Sequence, residues 1–235
     1  MTVRTAPGDG AVPVGPPDGT PTTGPGSGPA AADRPELLPT TRRARRYVQL
    51  IVGLVLYALS ITLLVRAGLG STPWDVLSQG ISRRTDLSFG TITVLVSVVV
   101  LLLWVPLRQR PGIGTVANVV VIGALVDPFL ALLARLPEPL PLAARIGLVV
   151  AGIVLNGLAT ALYVGVRLGP GPRDGLMTGL VARTGGSTRL VRSSIEVVVV
   201  TAGWLLGGTV GLGTLAYALA IGPVVHHLLP RLTVR

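Results

Sequence analysis

Two aspartates of this 235-residue chain stand in matching frames of glycine and proline, and these frames hold the residues best suited to bind a ligand. Asp75 lies in the segment GLGSTPWDVLSQG (68–80), and Asp174 lies in RLGPGPRDGLMTG (167–179). A short helix interrupted by glycine and proline in a membrane protein is a pointer to a substrate site. The candidate binding residues of the two frames are Gly70, Pro73, Asp75, Gly169, Pro172 and Asp174.

The same residues also have a purely structural interpretation. Thr72 has the form of a helix N-cap, with Pro73 at the first helical position and Asp75 at the third. Gly171 takes the cap position in the second segment, so both aspartates would stabilise the positive end of a helix dipole. Two helix N-termini brought together could instead bind an anion or a polar substrate, or handle a cation or proton through the aspartates. The sequence leaves both interpretations open.

Glu196 and Arg192 form a second candidate pair, one helical turn apart within a long apolar run. A charge in lipid is costly unless it is paired, so the pair either steadies its helix or lines a cavity. We include both residues among the candidate substrate-binding residues. Asp127-Pro128 and His226-His227 lie towards the ends of apolar runs, where the membrane interface is the preferred interpretation.

No motif of an enzyme accompanies these residues. The chain has no HExxH, GxSxG or Walker A motif, and it has no cysteine for disulfides, iron–sulfur clusters or thiol chemistry. We therefore predict no catalytic residue, no metal site and no cofactor.

The composition indicates an integral membrane protein. Charged residues are 13% of the chain and hydrophobic residues 49%, so a soluble fold could not cover its own surface. The formal net charge is +10, and all 20 basic residues are arginine. Because the arginines mark the ends of apolar runs instead of forming one stripe, they indicate membrane topology and exclude nucleic acid as a partner.

The apolar runs predict an all-α, polytopic bundle in the lipid bilayer. Six runs are long enough to cross it, and two segments of about 11 residues are too short. The predicted spans are 47–66, 89–107, 113–134, 145–166, 189–207 and 212–229, and the short segments are 73–83 and 172–182.

An internal repeat organises these elements. Shifted by 99 residues, the chain aligns with itself without a gap from Arg46 to about Leu130, and proline, aspartate and glycine stay in register. We predict two membrane repeats, 42–135 and 136–235. The halves would be inverted if each crosses three times and parallel if each crosses four times. Arg46/Arg145 and Arg84/Arg183 recur at equivalent positions, and this favours parallel halves.

Residues 1–41 are rich in proline and glycine and predict a disordered tail. The basic cluster at 42–46 abuts the first span and predicts a cytoplasmic N-terminus in a bacterial plasma membrane.

The element GLGxxPWDxLxxG at 68–80, the Ser-Phe-Gly start of the next span and a Gly-Ile-Gly-Thr-x-x-Asn opening at 112–118 resemble the YczE/YyaS/YitT group of bacterial membrane proteins. The resemblance covers about 46–230 and implies a multi-pass protein. Arg173 stands in the second segment where Trp74 stands in the first, which is a departure from the motif.

Two functions fit these features. The first is a small transporter with a small polar or ionic substrate bound where the repeats meet. The alternative is a membrane scaffold or regulatory subunit with a protein partner or a second copy of the chain.

Overall fold

The computed structural model describes residues 40–233, which form eight helices and no strand within that range. The all-α prediction is confirmed. Residues 1–39, which make up nearly all of the predicted tail, lie outside the described range, and the first helix begins at Thr40, inside the predicted tail. The helices are α1 (Thr40–Ala67), α2 (Pro73–Ser82), α3 (Phe89–Trp104), α4 (Ile113–Leu133), α5 (Leu142–Gly165), α6 (Pro172–Thr184), α7 (Thr188–Leu205) and α8 (Leu212–Leu232).

The short helices α2 and α6 begin directly after the residues that the sequence predicts as their N-caps. Thr72 caps α2, and its hydroxyl accepts a hydrogen bond from the Asp75 amide at 3.4 Å. Gly171 caps α6, and a proline opens each helix. Ser88 and Ser187 cap α3 and α7 in the same way. The predicted capping role of Thr72 and Gly171 is confirmed.

Four helices are long and apolar enough to cross a membrane, namely α1, α4, α5 and α8. They correspond to four of the six predicted spans. The apolar helix α3 has 16 residues, about 24 Å at the rise of an α-helix. The 18 residues of α7 include Arg189, Arg192 and Glu196. The crossing of the membrane by α3 and α7 stays a prediction.

The centre of the bundle is the antiparallel pair α1 and α5. Gln49 near the start of α1 donates to the Leu162 carbonyl near the end of α5, and Arg145 near the start of α5 donates to the Ala67 carbonyl. The helix α4 packs on α1 and α8 packs on α5, while α2 packs on α7 and α6 on α3. Because α1 and α5 are equivalent in the 99-residue alignment, their opposite directions contradict the parallel halves favoured by the sequence.

Three of the four paired arginines, Arg84, Arg145 and Arg183, misled the prediction because they bind carbonyls at helix ends. Arg145 binds the carbonyls of Ala67 and Gly68 at the end of α1. Arg84 binds the Leu206 carbonyl after α7, and Arg183 binds the Pro106 carbonyl after α3. A guanidinium that satisfies free carbonyls at the end of a helix is useful on either side of the membrane. The recurrence of these arginines therefore carries no information about orientation.

The breaks before α2 and α6 are closed by the opposite half of the chain. The Gly213 amide at the start of α8 donates to the Leu69 carbonyl at 2.8 Å, and the Gly114 amide at the start of α4 donates to the Leu168 carbonyl at 2.9 Å. Gly70 and Gly169 have φ of +111° and +128°, which favours glycine. A Cβ on Gly70 would lie 2.5 Å from the Thr214 hydroxyl, and one on Gly169 would lie 2.9 Å from the Thr115 hydroxyl.

The contacts also fix the direction of the other helices. Gly90 of α3 contacts Asp127 of α4, and Val94 contacts Gly123, so α3 and α4 are antiparallel. The Tyr217 hydroxyl contacts Asn156, and Leu232 lies beside Gly165, so α8 runs parallel to α5. The start of α1, the loop 105–112 and the end of α8 consequently lie at one end of the bundle, and the loop 134–141 lies at the other.

We expect a single cysteine at Arg110 to face the same side of the membrane as the N-terminus, and one at Arg135 to face the opposite side. The native chain has no cysteine, so each Arg→Cys variant carries one label site. Labelling of intact cells with an impermeant maleimide measures the side. Labelling of both positions from one side would contradict this topology.

Candidate functional site

A cavity of about 390 Å³ lies where the N-termini of α2 and α6 meet, and α1, α3, α4, α5, α7 and α8 complete its wall. Its wall combines aromatic and hydroxyl side chains with charges of both signs. The polar and aromatic lining residues are Tyr57, Thr72, Trp74, Thr93, Ser97, Asn118, Thr160, Tyr163, Arg173, Asp174, Arg192, Glu196, Tyr217 and His226.

Arg173 joins the first turns of α2 and α6. Its guanidinium lies 3.4 Å from the Asp75 carboxylate and 5.4 Å from the ring centroid of Trp74. The Asp75 side chain is fully buried and also accepts the Thr72 hydroxyl at 2.6 Å. Since Arg173 and Trp74 occupy equivalent positions in the alignment, the departure from the motif supplies a cation for the aromatic face and for the buried carboxylate.

Asp174 has a different environment from Asp75. Its carboxylate is half-buried on the cavity wall and accepts the Tyr163 hydroxyl at 2.6 Å. The Tyr163 ring packs edge-on against Tyr57, with 5.9 Å between ring centroids. The three ion pairs among residues 40–233 do not include Asp174.

A buried polar chain supports the cavity from the α1–α5 side. The Tyr217 hydroxyl donates to the Asn156 side-chain oxygen at 3.0 Å, and the Asn156 amide nitrogen donates to the Ser60 hydroxyl at 2.8 Å. Asn156 and Ser60 are fully buried. The chain links α1, α5 and α8, and it fixes the position of Tyr217 on the wall.

Arg192 and Glu196 form the predicted pair on α7. The Arg192 Nε donates to the Glu196 carboxylate at 2.9 Å, and the side chains are 52% and 30% exposed. Both line the cavity, as does His226 of α8. The sequence indicated a position of His226 at the membrane interface, and the structure adds that His226 lines the cavity.

The structure brings five of the eight candidate residues to the cavity wall. These are Pro73, Pro172, Asp174, Arg192 and Glu196. Asp75 lies behind the wall, where it pairs with Arg173, and Gly70 and Gly169 contact the starts of α8 and α4. The sequence patterns gave no indication that the tyrosines and Asn118 line the site, or that the Trp-to-Arg departure marks a contact between the halves.

The cavity is closed between α3 and α4 and open between α7 and α8. In the first pair the Gly90 amide donates to Asp127 at 2.8 Å, and a Cβ on Gly123 would lie 2.2 Å from Val94. The helices α7 and α8 make few contacts. The positions equivalent to Gly90 and Asp127 are Arg189 and His226. Two larger basic side chains thus stand in place of the glycine at the helix contact and of the aspartate that accepts its amide.

These features define a helical membrane protein with a polar cavity between broken helices. The chain belongs to the family of unknown function DUF6198, whose model matches residues 44–230. It is 45% identical to an uncharacterized protein of Haemophilus influenzae over 76% of this chain and 83% of that protein. The uncharacterized membrane protein YczE of Bacillus subtilis is 29% identical over 79% of this chain and 86% of its own length. The uncharacterized protein YyaS of the same organism is 25% identical over 79% and 92%. No solved structure matches the chain. The predicted resemblance to the YczE/YyaS group is confirmed.

We expect Arg173→Gln to lower the free energy of unfolding by about 3 kcal/mol, because it leaves a buried carboxylate without its cation. The double variant Asp75→Asn/Arg173→Gln should recover most of that loss. Unfolding in mild detergent measures the double-mutant cycle. Arg192→Gln is the matched control, since its partner is partly exposed and an exposed pair contributes less than about 1 kcal/mol. Equal losses for both single arginine variants would contradict the assignment.

Proposed function

We propose that this protein is a small transporter that binds a polar or ionic solute in the central cavity, between two inverted repeats comprising residues 42–135 and 136–235. Each repeat contributes three membrane crossings and one short helix, which gives six crossings, with α2 and α6 beginning inside the bilayer. The proposal assigns no catalytic residue, metal or cofactor. It keeps the N-terminus in the cytoplasm, because most arginines flank the bundle end where α1 begins.

The observation that carries the proposal is the composition of the cavity wall. Much of the wall consists of residue pairs that lie 99 positions apart and come from the two repeats. The pairs are Ile61/Thr160, Thr72/Gly171, Pro73/Pro172, Trp74/Arg173, Thr93/Arg192, Ser97/Glu196, Asn118/Tyr217 and Ile122/Ile221. A site formed at the interface of inverted repeats by broken helices is the arrangement found in many secondary transporters.

The unequal closure of the cavity supports the same function. Its lining extends along α8 from Tyr217 to Leu229, whereas it stops at Ile122 on α4. The cavity therefore opens towards the end of the bundle where α1 begins, and the contact of Gly90, Gly123 and Asp127 closes the opposite end. In inverted repeats, exchanging the open and closed helix pairs exposes one site to the two sides in turn.

We expect a Ser97→Cys variant to react with a membrane-impermeant thiosulfonate from both sides of the membrane. Ser97 lines the cavity, and its replacement conserves size. Inside-out and right-side-out vesicles measure the two rates. Val98→Cys is the control, because Val98 is exposed on the outer surface of the same helix and should stay unreactive in lipid.

Reaction of Ser97→Cys from one side only would contradict alternating access. That outcome would favour the alternative of a membrane scaffold or regulatory subunit. A stable partner recovered in mild detergent would then identify that role.

A further inference from the structure

A second cavity lies between α3 and α7, and it differs from the first in its chemistry. It is a groove of about 630 Å³ lined almost entirely by apolar side chains. Three side chains of α2 and one of α6 also line it. The lining residues are Trp74, Leu77, Ile81, Ile92, Leu95, Val96, Val99, Val100, Leu103, Leu176, Ser194, Ile195, Val198 and Val199.

The groove adjoins the polar cavity. Trp74 and Ile195 line both spaces, so these two side chains form the partition between them. The groove also lies between equivalent helices, because Val99 and Val198 face it from positions 99 residues apart. A ligand that passes this partition would place one end among charges and the other among hydrocarbon.

The charges of the polar cavity select the sign of the ligand. Asp75 is paired with Arg173, and Glu196 is paired with Arg192. Asp174 accepts only a neutral hydroxyl in the described contacts, and the aromatic rings of Tyr57 and Tyr163 lie beside it. A carboxylate that forms no ion pair and lies beside aromatic side chains is suited to bind an ammonium group.

We propose that the ligand of this transporter is a cationic amphiphile, with its ammonium head at Asp174 and its hydrocarbon chain in the groove between α3 and α7. The inference rests on the proposed function, because it assigns a substrate class to the same cavity. Charge complementarity places the head at Asp174, and the shared boundary of the two spaces at Trp74 and Ile195 places the hydrocarbon tail in the adjoining groove. Since all lining side chains but Ser194 are apolar or aromatic, the hydrocarbon tail of the ligand enters the groove at little cost in polar desolvation.

The test uses the full chain in phosphatidylcholine vesicles with a single cysteine at Met177, which lines the cavity. The probes are tetramethylammonium, octyltrimethylammonium and octyl sulfate, and the measurement is protection of the cysteine from a soluble maleimide. We expect octyltrimethylammonium to protect at a concentration at least tenfold lower than tetramethylammonium does, since each buried methylene contributes to binding. We expect no protection by octyl sulfate.

Two variants test separately the binding of the ligand's ammonium head and of its hydrocarbon tail. Asp174→Asn should abolish protection by both ammonium probes, while the exposed Asp86→Asn should leave it unchanged. Val198→Phe should fill the groove and remove the advantage of the octyl chain, with protection by tetramethylammonium retained. Val197→Phe is its control, because Val197 lies on the same helix, is exposed and does not line the groove.

Equal protection by the two ammonium probes, or protection by octyl sulfate, would overturn the inference and leave the transporter proposal standing. A change from dimer to monomer in Val198→Phe would also overturn it, because the groove would then hold a second copy of the chain. Failure of the transporter proposal is recognised separately, by reaction of Ser97→Cys from one side only.

Discussion

The whole arrangement depends on how the chain satisfies the backbone polar groups that are left free where the helices are interrupted before α2 and α6. The carbonyls of Leu69 and Leu168 follow the ends of α1 and α5, and each accepts an amide from a helix of the other half, at Gly213 and Gly114. These reciprocal hydrogen bonds require close backbone approach, which the glycines permit. They also tie the halves together in opposite directions. The first turns of α2 and α6 then meet at the centre of the molecule.

Once these first turns meet, the same residue at the positions of both Trp74 and Arg173 would be unfavourable. Two arginines at the positions of Trp74 and Arg173 would repel each other, and two tryptophans would leave Asp75 buried without a cation. The observed pair combines one aromatic ring with one guanidinium. A large residue is also exchanged for a small one at another pair of equivalent positions, Trp104 and Gly203. Trp104 packs against Gly175, whereas Gly203 packs against the backbone of Val76 and Leu77.

The same reasoning explains why one side of the cavity is open. Gly90 and Gly123 allow α3 and α4 to touch, and Asp127 caps the contact. At the equivalent positions of α7 and α8, Gly222 matches Gly123. Arg189 and His226, however, stand in place of Gly90 and Asp127. Large basic side chains cannot reproduce a glycine contact, so α7 stands away from α8. The exposed Arg192–Glu196 pair lies in this gap, where the cavity supplies a polar environment for it.

Much of this could be predicted from sequence because it depends on local chemistry. Hydropathy and caps at residues such as Thr72 and Ser88 determined the eight helices of the described range, and the register of proline, glycine and aspartate predicted that positions 99 apart are equivalent. The direction of the halves could not be predicted, because arginines that cap carbonyls resemble arginines that mark topology. The different environments of Asp75 and Asp174 could not be predicted either, because the sequences around the two aspartates are nearly the same. Only the tertiary structure decided which carboxylate would face Arg173 and which would face the cavity, because that choice depends on contacts between residues about 100 positions apart.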